Sequence, residues 1–168
     1  MKKYQSLVMA LTLAVAGSQV QAAAAPDYTE TKTADGYMLV ENKGGAELGL
    51  QPDSGVKLLK VDGKVFKDMN RNGKLDRYED WRLTPQQRAE DLAKQLSTED
   101  IAGLMLYSMH QRNLQPQLNE EQKKMLSADH VRTVLNADSA ASNEVTAKWN
   151  NARQAYAESH HRWGAVDH

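Results

Sequence analysis

The chain has 168 residues, is 40% hydrophobic, and carries a formal net charge of −1 with a mean hydropathy of −0.68. So balanced a charge gives no electrostatic ground for a nucleic-acid partner or an anionic membrane surface. There are no cysteines, so an exported form must rely on core packing or a bound metal rather than disulfides.

The chain opens with Met1-Lys2-Lys3, followed by an apolar run from Leu7 to Ala16 and then Val20-Gln21-Ala22. A basic start, a short apolar core and a small-residue end predict a secretory signal peptide over 1–22, cleaved after Ala22. The run is too short to span a bilayer, so no membrane partner is expected after cleavage, and the destination is the periplasm or the medium.

Residues 23–55 read as a flexible or short-strand lead-in. Pro26 to about Ala34 is polar and is expected to be mobile. Tyr37 to Val40 suits a short strand, flanked by turn clusters at Asn42-Lys43-Gly44-Gly45 and Gln51 to Gly55. Residues 56–83 read as a hairpin plus a loop. Asp62-Gly63 between two apolar runs is a hairpin signal.

The hairpin delivers the chain into Asp68-Met69-Asn70-Arg71-Asn72-Gly73-Lys74-Leu75-Asp76-Arg77-Tyr78-Glu79. Oxygen-bearing side chains stand at its first, third, fifth, ninth and twelfth places and glycine at the sixth, the spacing of a calcium loop. Asp68, Asn70 and Asn72 would supply side-chain oxygens and Lys74 its carbonyl. Asp76 would bind directly or through water, and Glu79 through both oxygens. Calcium is the one cofactor expected. The same Asn-x-Asn-Gly run is also a metal-free turn signal, and strand-like residues precede it, so it reads as a lone loop rather than an EF-hand domain.

Residues 84–158 are expected to form helices and βα units. Thr84 and Pro85 start a helix to about Leu96, with Ala89, Leu92, Ala93 and Leu96 as its apolar stripe. Ser97 caps a second helix that turns Ile101, Leu104 and Met105 inward, and Met105 to Met109 suits a strand. Asn119 caps a helix over Glu120 to Leu126, Val131 to Leu135 alternates as a strand, and Ser142-Asn143-Glu144 opens a last helix. Met105, Met109 and Met125 read as core filling, and Trp81 and Trp149 as packed beside helices. His160, His161, His168 and Asp167 read as an exposed tail, since neighbouring histidines do not share a face as zinc ligands need. The alternation of elements suggests an α/β fold with a parallel sheet or barrel.

Three runs carry a family resemblance: Val65 to Arg82, Arg88 to Met105, and Ala147-Lys148-Trp149-Asn150-Asn151-Ala152-Arg153-Gln154. Together they resemble the N-terminal region of bacterial glycoside hydrolase family 3 enzymes of the β-glucosidase type. The resemblance implies an incomplete N-terminal portion of a β/α (TIM-like) barrel, preceded by the small β lead-in and the calcium-type loop. It implies hydrolysis of O-glycosyl bonds without an organic cofactor, and a carbohydrate substrate only in the full-length enzyme. The family's catalytic motifs match no position here, so no catalytic residue is assigned. Residues 159–168 diverge from the family pattern, which predicts a truncated reading frame, an inactive chain, and the missing remainder of the barrel as partner. The alternative is a small exported calcium-binding or interaction module.

Overall fold

The computed structural model describes residues 26–137 and 140–160. The expected signal peptide lies outside the described residues, as do His161, Asp167 and His168 of the expected tail.

The lead-in is a three-stranded antiparallel sheet of β1 (Tyr28–Lys32), β2 (Met38–Asn42) and β3 (Glu47–Leu50), in that order. The expected mobile stretch from Pro26 to Ala34 thus contains an edge strand. Its outer residues Thr29 to Lys32 are all exposed, so no apolar alternation announces it. Val40 pairs with Leu48 across β2 and β3, and both face the same core.

The expected hairpin forms as β4 (Lys57–Val61) and β5 (Lys64–Asp68). Asp62 and Gly63 both take positive φ, 52° and 75°, which suits the right-handed twist of the flanking strands. The two sheets share one core, in which Val40, Leu48 and Val65 pack with Tyr28, Met38, Leu58 and Trp81 around them. Asn42 joins the sheets by mimicking a strand. Its Oδ1 accepts from Val65 N at 2.7 Å, and its Nδ2 donates to Val65 O at 3.1 Å. Trp81 stacks on Phe66 with centroids 5.1 Å apart, and its Nε1 donates to Val65 O.

Three helices start at the expected caps. Thr84, Ser97 and Asn119 each form a reciprocal capping box, opening α1 (Pro85–Leu92), α2 (Thr98–Leu104) and α3 (Glu120–Ser127). The helix α1 stops at Leu92 rather than Leu96. Beyond it, Lys94 N and Gln95 N bond to the carbonyls three residues back, tightening the last turn as helix ends do. No α1 residue is fully buried; of the expected apolar stripe, Leu92 and Leu96 are half-buried and Ala89 and Ala93 exposed. The last helix, α4 (Asn143–His160), runs two residues into the stretch expected as a divergent tail.

Between these helices, two extended segments touch in parallel through single bridges, Tyr107 with Thr133 and Gln111 with Asn136. Ser108 N and Gln111 N donate to Thr133 O and Leu135 O. The order is extended segment, α3, parallel extended segment, and neither segment forms a strand, so the expected strands over Met105 to Met109 and Val131 to Leu135 are reduced to these single bridges. Buried beneath them are Trp149, Leu126 and Val131, with Trp149 Nε1 donating to the buried Gln122 Oε1. Several large apolar side chains here are uncovered. Met105 is 77% exposed and Met109 87% exposed, with Ile101, Leu106, Tyr107 and Leu135 also open to solvent. This corrects the expectation that Ile101 and Met105 face inward and that Met105 and Met109 fill a core. Apolar character at helical or strand spacing marks candidates for a core, but burial requires a second layer, and the described residues do not cover these side chains.

Candidate metal-binding loop

The loop begins where β5 ends. Asp68 is fully buried, and its carboxylate reaches forward into the turn. Oδ1 accepts from Asn72 N and Oδ2 from Gly73 N, each at 2.9 Å. Gly73 has φ 75°, as the bend at the sixth place demands. Arg71 also takes a left-handed φ, 61°, which costs a residue with a Cβ more than it costs glycine.

Glu79 closes the other end. Its Oε1 accepts from Met69 N at 2.7 Å and from the Tyr78 hydroxyl at 3.0 Å, and its Oε2 accepts from Asp76 N at 3.0 Å. Burial pushes the Glu79 carboxyl above its usual range, although the three backbone N–H groups that it caps pull the other way. Burial, and then the adjacent Glu79 carboxylate, drive the Tyr78 hydroxyl far up. Tyr78 is also fixed by α1, where Arg88 Nε donates to its carbonyl and Asp91 Oδ2 accepts from its N–H.

The third, fifth and ninth places converge. Asn70 Nδ2 and Asn72 Nδ2 both donate to Asp76 Oδ2, at 2.6 and 2.7 Å. Asn72 Oδ1 accepts from Lys74 N, and Lys74 itself is exposed. A cleft of about 550 Å³ opens onto Asn70, Asn72 and Asp76, with Asp91 and Gln95 across it. The six expected ligand positions are therefore held in one loop. Their hydrogen bonds are those of the metal-free turn, with Asp68 and Glu79 turned to backbone N–H groups. Among the described residues, no three carboxylates or imidazoles gather closely enough to hold an ion unaided. The donor types still suit a hard cation, because a half-turn of each Asn amide would present oxygen beside Asp76.

Sequence reasoning missed the role of Arg71. Its Nη2 donates to Ser54 O, Glu158 O and Ser159 O. It thereby places a cation at the C-terminal carbonyls of α4, where the helix dipole favours one. Beside it, Lys67 of β5 meets Glu158 of α4 at 2.6 Å, with side chains only 5% and 1% exposed. Gln154 Nε2 donates to the same Glu158 oxygen. No sequence pattern announces a pair separated by 91 residues.

This chain is similar to a periplasmic glycosidase. It is 35% identical over 111 residues to the periplasmic beta-glucosidase/beta-xylosidase of Dickeya chrysanthemi. The match covers 62% of this chain but only 17% of that relative. No family model matches the chain. The buried acids Asp68, Glu79 and Glu158 are all taken up in bonds that hold the fold.

Proposed function

We propose that this chain forms the N-terminal segment of an exported glycoside hydrolase of the family 3, β-glucosidase-like type. The observation that carries the reading is its similarity to the periplasmic beta-glucosidase/beta-xylosidase. Three features support it. The basic start and short apolar run suit export. The parallel bridges on either side of α3 would suit the strand–helix–strand repeat of a β/α barrel. The exposed apolar side chains of Ile101, Met105, Leu106, Tyr107 and Met109 suit burial beneath further parts of such a barrel. The catalytic carboxylates belong to polypeptide outside these residues, and carbohydrate is a substrate only of the longer enzyme.

A chimera tests this. The stretch of the Dickeya chrysanthemi enzyme that matches this chain is replaced by the present sequence, and aryl-β-glucoside and aryl-β-xyloside hydrolysis are measured. Activity is expected from the chimera and none from the chain alone. A soluble, folded but inactive chimera refutes the reading, as does turnover by the purified chain free of contaminating enzyme.

Within that segment we propose a structural role for the loop. Calcium would be held by Asp68, Asn70, Asn72, Asp76, Glu79 and the Lys74 carbonyl, joining the lead-in to α1. The convergence of Asn70, Asn72 and Asp76 favours it. Calorimetric titration with calcium chloride should show saturable binding that Glu79→Ala abolishes. Identical melting in calcium and in chelator would remove the role. A cooperative monomer that melts only on calcium loss, together with an inactive chimera, would favour a small exported calcium-binding module instead.

A further inference from the structure

The inward stripe of α4 contains a charge. Trp149 and Ala157, each 1% exposed, lie on that stripe, and Arg153 stands between them at the same helical spacing. Its half-buried side chain runs beneath the extended segment that carries Arg132.

The bonds of Arg153 do not account for its charge. Its Nη1 donates to Arg132 O at 3.2 Å, and it makes no other hydrogen bond among the described residues. Its Nε is sealed from solvent and has no acceptor. Burial holds the guanidinium below its usual range, and no acid among the described residues offsets this. A buried charge is stable only when paired, since leaving water costs more than one carbonyl returns.

Arg132 gives the contrast. Its Nη1 donates to Leu126 O at 2.8 Å and to Val131 O at 3.1 Å. Leu126 O belongs to the last turn of α3, where the helix dipole favours a cation. Burial lowers Arg132 too, but Asp100 offsets part of it. Asp100 is itself taken up by His130 Nδ1 at 2.7 Å and by Ser97 N at 3.1 Å. Two guanidiniums therefore share a region with one engaged carboxylate, and Arg153 is the one left short.

The missing acceptor has a definite shape. Nε and Nη2 form the edge of the guanidinium that matches the two oxygens of a carboxylate. Nη2 is not sealed as Nε is, so a carboxylate has an approach. The surroundings narrow its source. Leu135, on the segment above Arg153, and Tyr107, on the segment bridged to it, are 36% and 70% exposed. The chain spans only 17% of the length of its relative, so polypeptide to cover them is at hand in an enzyme of that length.

We propose that Arg153 is a docking point for a carboxylate, and that an Asp or Glu side chain of the polypeptide completing the longer enzyme closes on its Nε–Nη2 edge. The proposal rests on the reading of this chain as an N-terminal segment, and it names one contact that would hold the segment in place.

Thermal melting of Arg153→Met tests it, made both in the whole chain and in the chimera with the Dickeya chrysanthemi enzyme. Methionine keeps an unbranched stem beneath the segment and removes the charge. In the chain alone the midpoint should rise, because an unpaired buried charge is lost. In the chimera it should fall, because the incoming carboxylate is orphaned. A fall of equal size in both overturns the proposal, since Arg153 would then serve only the chain's own fold. A rise in both overturns it as well, since no carboxylate would have arrived. Should the chimera not fold, the Arg153 Nε–Hε resonance of the chain alone decides. Sodium acetate should shift it saturably and sodium chloride at equal ionic strength should not; equal or absent shifts overturn the proposal. An active chimera without the change of sign loses this proposal and keeps the glycosidase reading. A folded but inactive chimera counts against that reading, and the melting comparison still decides this one.

Discussion

Removing one partner of the Lys67–Glu158 pair should destabilise the fold by about 3–5 kcal/mol. At 2.6 Å, and with an effective dielectric constant near 20, the attraction is about 6 kcal/mol. Desolvation of both groups offsets much of it. Neither side chain can turn to water where it sits, at 5% and 1% exposure. Lys67→Met therefore leaves a buried carboxylate whose remaining partner is Gln154, and Glu158→Leu leaves a buried ammonium. Each change takes up a large part of the 5–15 kcal/mol that a domain typically has, ~10 at mid-range. The double variant Lys67→Met/Glu158→Leu removes both charges and should recover most of the loss, because apolar replacement of a buried pair is near neutral. Urea denaturation of the four proteins gives the cycle directly. A loss below about 1 kcal/mol for both single variants, the range of exposed pairs, would show that the pair is hydrated and would refute the reasoning.

Gly45→Ala should cost about 1–3 kcal/mol by overpacking. The new Cβ would run into the Trp81 ring, which Phe66 and the bond to Val65 O hold in place; an unchanged thermal midpoint would contradict this. Stability should fall in acid through Asp100. Burial disfavours its charge, but the Ser97 backbone N–H, His130 and the Ser97 hydroxyl outweigh burial and hold the carboxyl below its usual range. Its contribution is thus complete above the unfolded carboxylate value, about 3.9, and is lost as pH falls through the lowered folded value. Asp100→Asn should flatten the acid limb of a melting-against-pH curve, and an identical limb would exclude Asp100 as its source. The exposed apolar side chains from Ile101 to Met109 should drive self-association of the isolated chain. Light scattering should find Tyr107→Lys/Met109→Lys more monomeric than the parent, and equal masses would refute that.

Features whose cause is local were legible in the sequence. Asp62-Gly63 fixed the hairpin because few other residues accept two successive positive φ values. Thr84, Ser97 and Asn119 announced helix starts because a cap and its reciprocal partner lie within one turn. The loop was readable for the same reason, although spacing alone could not show whether its oxygens face an ion or their own backbone. Features set by distant packing were not legible. The strand β1 is polar along its exposed residues and exists because β2 supplies its hydrogen bonds. Met105 and Met109 carry the apolar signature of a core that the described residues do not complete. Arg71 and Lys67 look like ordinary surface cations until α4 is packed beside them.

The clasp between the hairpin and the end of α4 also orders events in time. A chain made from its N-terminus can assemble the lead-in sheet and hairpin early, since their contacts are short-range. The counter-ion of Lys67 is added 91 residues later, and closing so long a loop is slow and entropically costly. Closure of the clasp thus reports that synthesis has passed Glu158. A nascent chain stopped short of that residue keeps its sheets but leaves Lys67 without its carboxylate and Arg71 without the helix end that it grips.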